Sequence, residues 1–298
     1  MRREESRAKV LLFTLFSLDH LSEILINIFL QKSGPILEKD TKQTIMGETR
    51  SQRFLVERVN PDSLEGDKML RQSPIDICSQ NVCYAPQFCR PKSLHIDYHK
   101  GDCQELATHE HGWMVKAREG SQSILTASHL TSNYTLTQFH AHWGQDGTYG
   151  SEHLVDGKSF SGEVHFVFWK TEYGSFDEAV KEEDGLAVIA VFLQESAFEN
   201  LCYESLVDCV KTSLVTKNSV PVPHNFDLMS LFPANLDFCT YRGSLTTPPY
   251  AECVVWTVMN TPVEVSKEQM DAFRQITPSN IRACQDLCGR EVKASRMD

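Results

Sequence analysis

The chain has 298 residues, of which 41% are hydrophobic and 23% charged, so it is long enough for one large globular domain or two small ones. Its net charge is −11 and its sequence pI is about 5.5. An acidic chain without a basic cluster gains nothing from neutralising phosphates, so we expect no nucleic-acid partner.

The N-terminal segment has the least regular pattern. A basic start precedes an apolar stretch over residues 10–18, which resembles a signal peptide, but Asp19 and Glu23 follow at once and no small-residue cleavage site is evident. A transmembrane span over residues 10–30 would bury these acids, and a central Asp costs roughly 2.5–3.5 kcal/mol. We therefore predict a poorly ordered extension over residues 1–67 and no transmembrane span, with a secretory signal as the alternative.

Short β-branched and aromatic runs dominate the rest of the chain, residues 68–298, and predict strands. These runs cover residues 94–98, 113–117, 134–140, 164–169, 186–192 and 253–258. Helical patterns are fewer and lie at residues 175–183 and 201–214, and a capping box at Ser266 opens a third helix that extends to about Ile276. The pattern predicts one predominantly β domain with peripheral short helices.

The ten cysteines are even in number, but a chain of this length folds without disulfides. No Cys-x-x-Cys pair occurs, which argues against a cysteine zinc site and a thioredoxin-like motif. Several cysteines, such as Cys253, lie in apolar runs where a thiol behaves as a small hydrophobe. We expect reduced thiols.

Two predicted strands carry histidines at strand spacing. His140 and His142 lie two residues apart in one run, and His165 lies in a second run. Side chains on a strand alternate between faces, so three imidazoles converge if the two strands are neighbours. Three neutral imidazole nitrogens suit Zn²⁺ and leave a fourth tetrahedral position for water, which is the pattern of a catalytic zinc site.

Two polar residues accompany this pattern. Gln138 and Glu163 each precede a candidate ligand by two residues and share its face, so each can accept a hydrogen bond from a ring N–H and fix the ring. A His-x-His pair with a distant third histidine is common by chance, and the accompanying Gln and Glu favour the zinc site. Other histidines are predicted to be surface or core residues: His20, His95, His99, His109, His129 and His224.

Several ordered motifs resemble the α-carbonic anhydrase family over residues 70–298. They are Gln-Ser-Pro-Ile-Asp-Ile (72–77), Phe-His-Ala-His-Trp-Gly (139–144), Gly-Ser-Glu-His-Leu-Val-Asp-Gly (150–157), Gly-Glu-Val-His (162–165), Ser-Leu-Thr-Thr-Pro-Pro (244–249) and the C-terminal segments 280–282 and 290–295. The resemblance implies a large twisted, mostly antiparallel sheet with the metal at the bottom of a conical cleft. It also implies a monomeric enzyme that reversibly hydrates carbon dioxide to bicarbonate by attack of zinc-bound hydroxide.

The resemblance assigns roles to further residues. Thr246 accepts the hydrogen bond of the attacking hydroxide, and Glu152 accepts in turn from the Thr246 hydroxyl. His111 matches the position of the proton shuttle, although His109 lies two residues away and is an alternative. Thr247 matches a substrate-side position. An apolar wall for carbon dioxide corresponds to residues that would otherwise be ordinary core side chains: Val167, Val188, Leu245, Val254 and Trp256.

Some features depart from the family pattern. The aromatic N-terminal segment of the family is not evident before Gln72, and Met114 replaces a polar residue that is common in the cleft. Secreted members carry a cysteine directly after the Thr-Thr-Pro-Pro run, where this chain has Tyr250. This difference favours the cytoplasm over secretion. Two other functions stay open: a non-catalytic carbonic-anhydrase-like binding module and a zinc esterase.

Overall fold

The structure is a computed structural model, and it describes residues 69–90 and 92–295. The predicted extension over residues 1–67, including the candidate signal peptide and the rejected span, lies outside the described residues. None of the helices among the described residues has the length and apolarity needed to cross a bilayer. All ten cysteines lie in the described part of the chain and are free thiols there.

Strands make up most of the regular structure. The strands are β1 (Asp76–Ile77), β2 (Cys83–Tyr84), β3 (His95–Asp97), β4 (Cys103–His109), β5 (Gly112–Ala117), β6 (Ile124–Thr126), β7 (Tyr134–Trp143), β8 (Leu154–Val155), β9 (Gly162–Lys170), β10 (Leu186–Ser196), β11 (Val220–Pro221), β12 (Phe238–Gly243), β13 (Val254–Met259), β14 (Val263–Ser266) and β15 (Lys293–Ala294). The helices are α1 (Phe176–Ala179), α2 (Leu201–Thr216) and α3 (Lys267–Arg274).

One sheet of 13 strands forms the framework. Its central strands run in the order β5-β7-β9-β10-β13-β12. All of these neighbours are antiparallel except β10 and β13, which are parallel. The prediction of a predominantly β, mostly antiparallel sheet with short helices is confirmed, and the parallel pairs make the sheet mixed.

The sheet packs a hydrophobic core on each face, because successive side chains of a strand point to opposite sides. On β9, Val164, Phe166 and Phe168 belong to one buried cluster, whereas Val167 belongs to the other. His165 lies between Val164 and Phe166 and therefore points to the face of Val167. Side chains on both faces of β9, of most of β10 and of β13 are therefore buried, and polar residues buried there need partners.

The three predicted helices exist with changed lengths. The first shrinks from residues 175–183 to α1, which Ser175 caps by accepting from the Glu178 N–H at 3.2 Å. The chain then folds back so closely that a Cβ at Gly185 would lie 1.5 Å from the Ala179 carbonyl oxygen, so only glycine fits at this position. The second extends two residues further to Thr216, and the third begins at the predicted Ser266 capping box.

The two longest strands without a counterpart in the predicted set are β4 and β12. The run that forms β4 mixes polar and apolar residues without clear alternation, and β12 is short and contains Cys239 and Arg242. Both strands pair along their length with a partner, β4 with β5 and β12 with β13. Their strand conformation therefore follows from tertiary pairing more than from local composition.

Candidate metal centre

The pairing of β7 with β9 brings the three predicted ligand histidines together. His140 lies opposite His165, and His142 lies opposite Glu163. A bulge in β7 between Leu136 and Gln138 lies before the first histidine and leaves the alternation of His140 and His142 intact. One ring nitrogen from each of the three histidines lies within 4.8 Å of the others.

Each of the three rings has its second nitrogen fixed by an acceptor. His140 Nδ1 lies 2.8 Å from Gln138 Oε1, and His165 Nε2 lies 2.7 Å from Glu163 Oε1. These two contacts join the residues that the sequence pattern paired. His142 Nδ1 lies 2.9 Å from the backbone oxygen of Asn280, a partner that the sequence pattern did not identify. Because carbonyl and carboxylate oxygens only accept, each of these ring nitrogens is the protonated one.

The other ring nitrogen of each histidine is therefore unprotonated and carries a lone pair. These three lone pairs point towards one another. His140 Nε2 and His142 Nε2 lie 3.2 Å apart. A Glu152 oxygen approaches the same point, with Oε2 at 3.5 Å from His142 Nε2 and 3.9 Å from His165 Nδ1. Converging lone pairs and a carboxylate repel one another unless a cation lies between them. The residues present therefore fit a divalent metal ion, and three neutral imidazoles are a donor set that suits Zn²⁺.

Desolvation favours the neutral form of His140 and of His165, as metal binding requires of imidazole ligands. His140 is half-buried by accessible surface, yet desolvation and then the neighbouring His142 and His165 lower its pKa well below 6.5. Desolvation also lowers the pKa of His165, although Glu163 partly opposes that effect. Neutral ligands would leave the full charge of the ion in the site.

A buried network holds Glu163, and it contains two residues that the sequence pattern missed. Glu163 accepts at Oε2 from the His153 backbone N–H at 2.8 Å and at Oε1 from His153 Nδ1 at 2.6 Å. His153 Nε2 in turn lies 2.7 Å from the Tyr241 hydroxyl. Burial alone would raise the pKa of Glu163, but the adjacent His153 and His165 rings lower it well below its ordinary value. The sequence signal that could have identified His153 is its position directly after Glu152 in the 150–157 motif.

Asn280 forms hydrogen bonds with residues of β7 and with the turn between β4 and β5. Its backbone oxygen accepts from His142, and its side chain accepts from the Trp143 N–H at 2.8 Å and donates to the backbone oxygens of Ala141 and His111 at 3.0 and 2.9 Å. The resemblance in residues 280–282 gave its position in the chain but not this role. Asn280 therefore ties a candidate ligand strand to the turn that carries the candidate shuttle.

Glu152 and Thr246 lie in buried positions, but the hydrogen bond that the resemblance implies between them is not formed in this structure. Glu152 Oε1 accepts from the Arg282 N–H at 2.8 Å, and Oε2 has no hydrogen-bond partner among the described residues. Oε2 instead lies beside the histidine nitrogens, 3.5 Å from His142 Nε2. Thr246 is 8% exposed, and Thr247 next to it is exposed.

The predicted apolar wall forms a row across three strands. Val167 on β9 lies opposite Val188 on β10, and Val188 lies beside Trp256 on β13. Val254 occupies the same face of β13, and Leu245 packs against this cluster. The Trp256 ring centroid lies 4.8 Å from that of His165, so the row borders the histidines. The four residues on the strands are fully buried, as ordinary core residues also are, and Leu245 is half-buried.

The two candidate shuttle histidines lie at the turn between β4 and β5. The His111 side chain is 80% exposed, and its ring centroid lies 6.3 Å from that of His109. The His111 N–H donates to His109 Nδ1 at 3.3 Å. His109 is exposed by accessible surface, yet desolvation by neighbouring groups and then the proximity of His111 lower its pKa below 6.5. Met114 lies opposite His140 in the β5–β7 pair, between this turn and the cluster.

A mixed sheet whose central strands direct three neutral imidazoles at one point is the architecture of an α-type carbonic anhydrase. The family model of eukaryotic-type carbonic anhydrase matches residues 63–296, and the chain belongs to this family.

Two relatives show how far the similarity extends. The chain is 37% identical over 237 residues to carbonic anhydrase 1 of Oryctolagus cuniculus, and the matched region covers 76% of this chain and 99% of the relative. It is 36% identical over 237 residues to carbonic anhydrase 1 of Monodelphis domestica, which covers 75% of this chain and 88% of the relative.

Proposed function

We propose that this protein is an active, zinc-dependent carbonic anhydrase that reversibly hydrates carbon dioxide to bicarbonate and a proton. The observation that carries the proposal is the convergence of three unprotonated ring nitrogens whose opposite nitrogens are all fixed by acceptors. Such pre-oriented rings suit a metal ligand set better than a group of ordinary core histidines.

His140 Nε2, His142 Nε2 and His165 Nδ1 would hold the ion. A zinc ion held by three neutral ligands lowers the pKa of water to about 7, a value long known for carbonic anhydrase itself, and so supplies hydroxide near neutral pH. Glu163 and Gln138 hold two of the rings in the required tautomer, and the Asn280 backbone oxygen holds the third.

Glu152 and Thr246 are proposed to orient the attacking oxygen. A carboxylate only accepts hydrogen bonds, so Glu152 would draw the Thr246 proton towards itself and leave a threonine lone pair to accept from hydroxide. The row formed by Val167, Val188 and Trp256, together with Val254 and Leu245, offers an apolar place for an apolar substrate. Thr247 is proposed to lie on the substrate side.

The reaction releases a proton, which must reach solvent. His111 is proposed to carry it, because an exposed imidazole can exchange protons with water and reorient between the cleft and bulk solvent. His109 remains the alternative carrier, although its lowered pKa makes it a weaker proton acceptor at neutral pH.

The cytoplasm is the proposed location, and a monomer with a small-molecule substrate is the proposed state. Tyr250 occupies the place after the Thr-Thr-Pro-Pro run where secreted members carry a cysteine. N-terminal sequencing of the mature protein tests the location. A mature start near residues 20–35 would indicate a cleaved signal and contradict the proposal.

Zinc content and carbon dioxide hydration, measured on the same preparations, test the function. The wild type is expected to hold one zinc per chain and to hydrate carbon dioxide, and His140→Ala is expected to lose both. His95→Ala provides the matched control, since His95 is exposed on β3 and lies outside the cluster. Equal hydration rates in wild type and His140→Ala, or zinc without hydration in the wild type, would reject the proposal.

A further inference from the structure

A cavity of about 300 Å³ lies on the other side of the strands that carry the apolar wall. Alternation along β13 sends Val254 and Trp256 to the metal side and Val255 to the opposite side. Val255 and its cross-strand neighbour Arg242 on β12 both line this cavity. We call it the reverse-face cavity, and its volume falls at the lower end of the range for small-molecule sites.

Positive charge in the reverse-face cavity is only partly compensated. Four cationic side chains line it, Arg71, Arg242, Arg290 and Lys293, together with two carboxylates, Asp184 and Glu291. Arg71 pairs with Glu183 and Glu252, and Asp184 pairs with Lys170, whereas within the described part of the chain Arg242 and Arg290 form no ion pair. Arg290 donates to backbone oxygens of Leu287, Arg242, Gln72 and Asp286, which solvate the guanidinium without neutralising it. Lys293 has a carboxylate 3.5 Å away in Glu291. In a chain with net charge −11, a concave surface with more cationic than anionic side chains favours an anionic ligand.

A buried histidine in the wall adds a second polar feature. His129 is 5% exposed and lines the cavity. Its Nε2 lies 2.8 Å from Thr257 Oγ1, and its Nδ1 has no hydrogen-bond partner among the described residues. Buried polar atoms without partners are rare, and each calls for an explanation. Hydrophobic packing does not explain an unpartnered ring nitrogen beside two arginines without ion pairs.

Apolar surface lies next to these charges. Leu130 and Val255 line the cavity, and Phe88 does so with 42% of its surface exposed. The Lys293 ammonium lies 4.5 Å from the centre of the Phe88 ring. We propose that the reverse-face cavity binds a small aromatic carboxylate, with its ring against Phe88 and Leu130 and its carboxylate at Arg242 and Arg290. This site does not depend on the metal centre or on the proposed function.

Binding of benzoate to the intact protein tests the site. Calorimetry is expected to give saturable binding, with benzamide, the neutral isostere, at least about tenfold weaker because it lacks the charge-assisted hydrogen bonds. Arg242→Gln should weaken benzoate about tenfold, the size expected for one hydrogen bond to a charged group. Thr131→Trp should abolish binding at this site, since the exposed Thr131 lines the cavity and a larger ring would fill it.

Carboxylates also bind metal ions, so a second measurement has to show where on the protein benzoate binds. Amide NMR shifts on adding benzoate are expected at Arg242, Val255 and Leu130. Lys211→Gln is the matched control, because it removes an exposed positive charge of α2 away from the cavity, and it should leave benzoate affinity unchanged. Shifts confined to the metal centre, equal affinity in wild type, Arg242→Gln and Thr131→Trp, or no binding at millimolar benzoate would each overturn the proposal.

Discussion

The histidines around the candidate active site form two groups with opposite surroundings. His140, His142 and His165 lie within the sheet, and each has one ring nitrogen held by an acceptor. His109 and His111 lie at the turn between β4 and β5, and the His111 side chain is 80% exposed. The same type of side chain is thus held by acceptors at the cluster and exposed to solvent at this turn.

This difference matches two different chemical tasks. A metal ligand must present one lone pair in one direction, so its tautomer and ring orientation have to be set before the ion binds. A proton carrier must gain and lose a proton and exchange it with water, so it needs exposure and freedom to turn. Changes in the fixed group should therefore be costly, and changes in the exposed group should be small and repairable.

Glu163→Gln should produce the largest effect on the fixed group. The change is nearly isosteric, but it removes the charge that accepts from His165 and from His153 and places an NH₂ group against existing donors. Breaking a buried charged network by altering one partner costs about 3–5 kcal/mol of unfolding free energy. Loss of a residue that orients a metal ligand lowers metal affinity about 10–100-fold. Urea unfolding and zinc competition with a chelator measure the two effects.

Glu182→Gln is the control for this change, because it removes one negative charge from an exposed position. It should leave both quantities within error of the wild type. If Glu163→Gln keeps wild-type zinc affinity, the hydrogen bond to His165 does not orient a ligand and the contrast between the two groups fails.

His129 tests the effect of burial without metal binding. It is a buried histidine that lies outside the cluster of candidate ligands. Burial lowers its pKa to about 4 from an ordinary value of 6.5. Between these values the unfolded chain binds a proton that the folded chain does not, so stability falls as pH drops from 6.5 towards 4. The expected loss is about 3 kcal/mol by pH 4.

Urea unfolding of wild type and His129→Phe between pH 7 and 4 measures this contribution. The variant keeps a ring against Phe238, whose centroid lies 4.6 Å from that of His129, and should show a shallower loss of stability with acid. His95→Phe, on an exposed position of β3, should keep the wild-type pH dependence. Equal slopes for wild type and His129→Phe would show that His129 is protonated at little cost in the folded protein.

The sequence predicted the parts of the site that alternation alone can place. Gln138, His140 and His142 share a face of one strand, and Glu163 and His165 share a face of the next, so period-two spacing was enough once the strands were neighbours. Strands β7, β9, β10 and β13 were likewise visible as apolar runs, because both of their faces are buried.

Contacts that cross long stretches of sequence were not predictable in this way. The Asn280 backbone oxygen accepts from His142, which precedes it by 138 residues, and His153 reaches Tyr241 across 88 residues. Backbone acceptors have no residue-type pattern, and a tertiary contact has no local period. The missed strands β4 and β12 follow the same rule, since their conformation depends on the partners that pair with them.

His111→Ala tests the exposed group and should have the smallest effect of these changes. In weak buffer we expect carbon dioxide hydration to fall by roughly two orders of magnitude, the lower end of the usual contribution of one positioned acid–base group, with zinc content unchanged. Imidazole added to the solution should restore most of the rate, because a dissolved base can replace an exposed carrier.

His109→Ala should lower the hydration rate less than His111→Ala does, since desolvation and then His111 lower the pKa of His109 and leave it a weaker proton acceptor. Removing His111 relieves part of that effect, so His109 should supply some of the residual rate in His111→Ala, and the double variant should be slower than either. A larger loss in His109→Ala than in His111→Ala would reverse the assignment of the carrier.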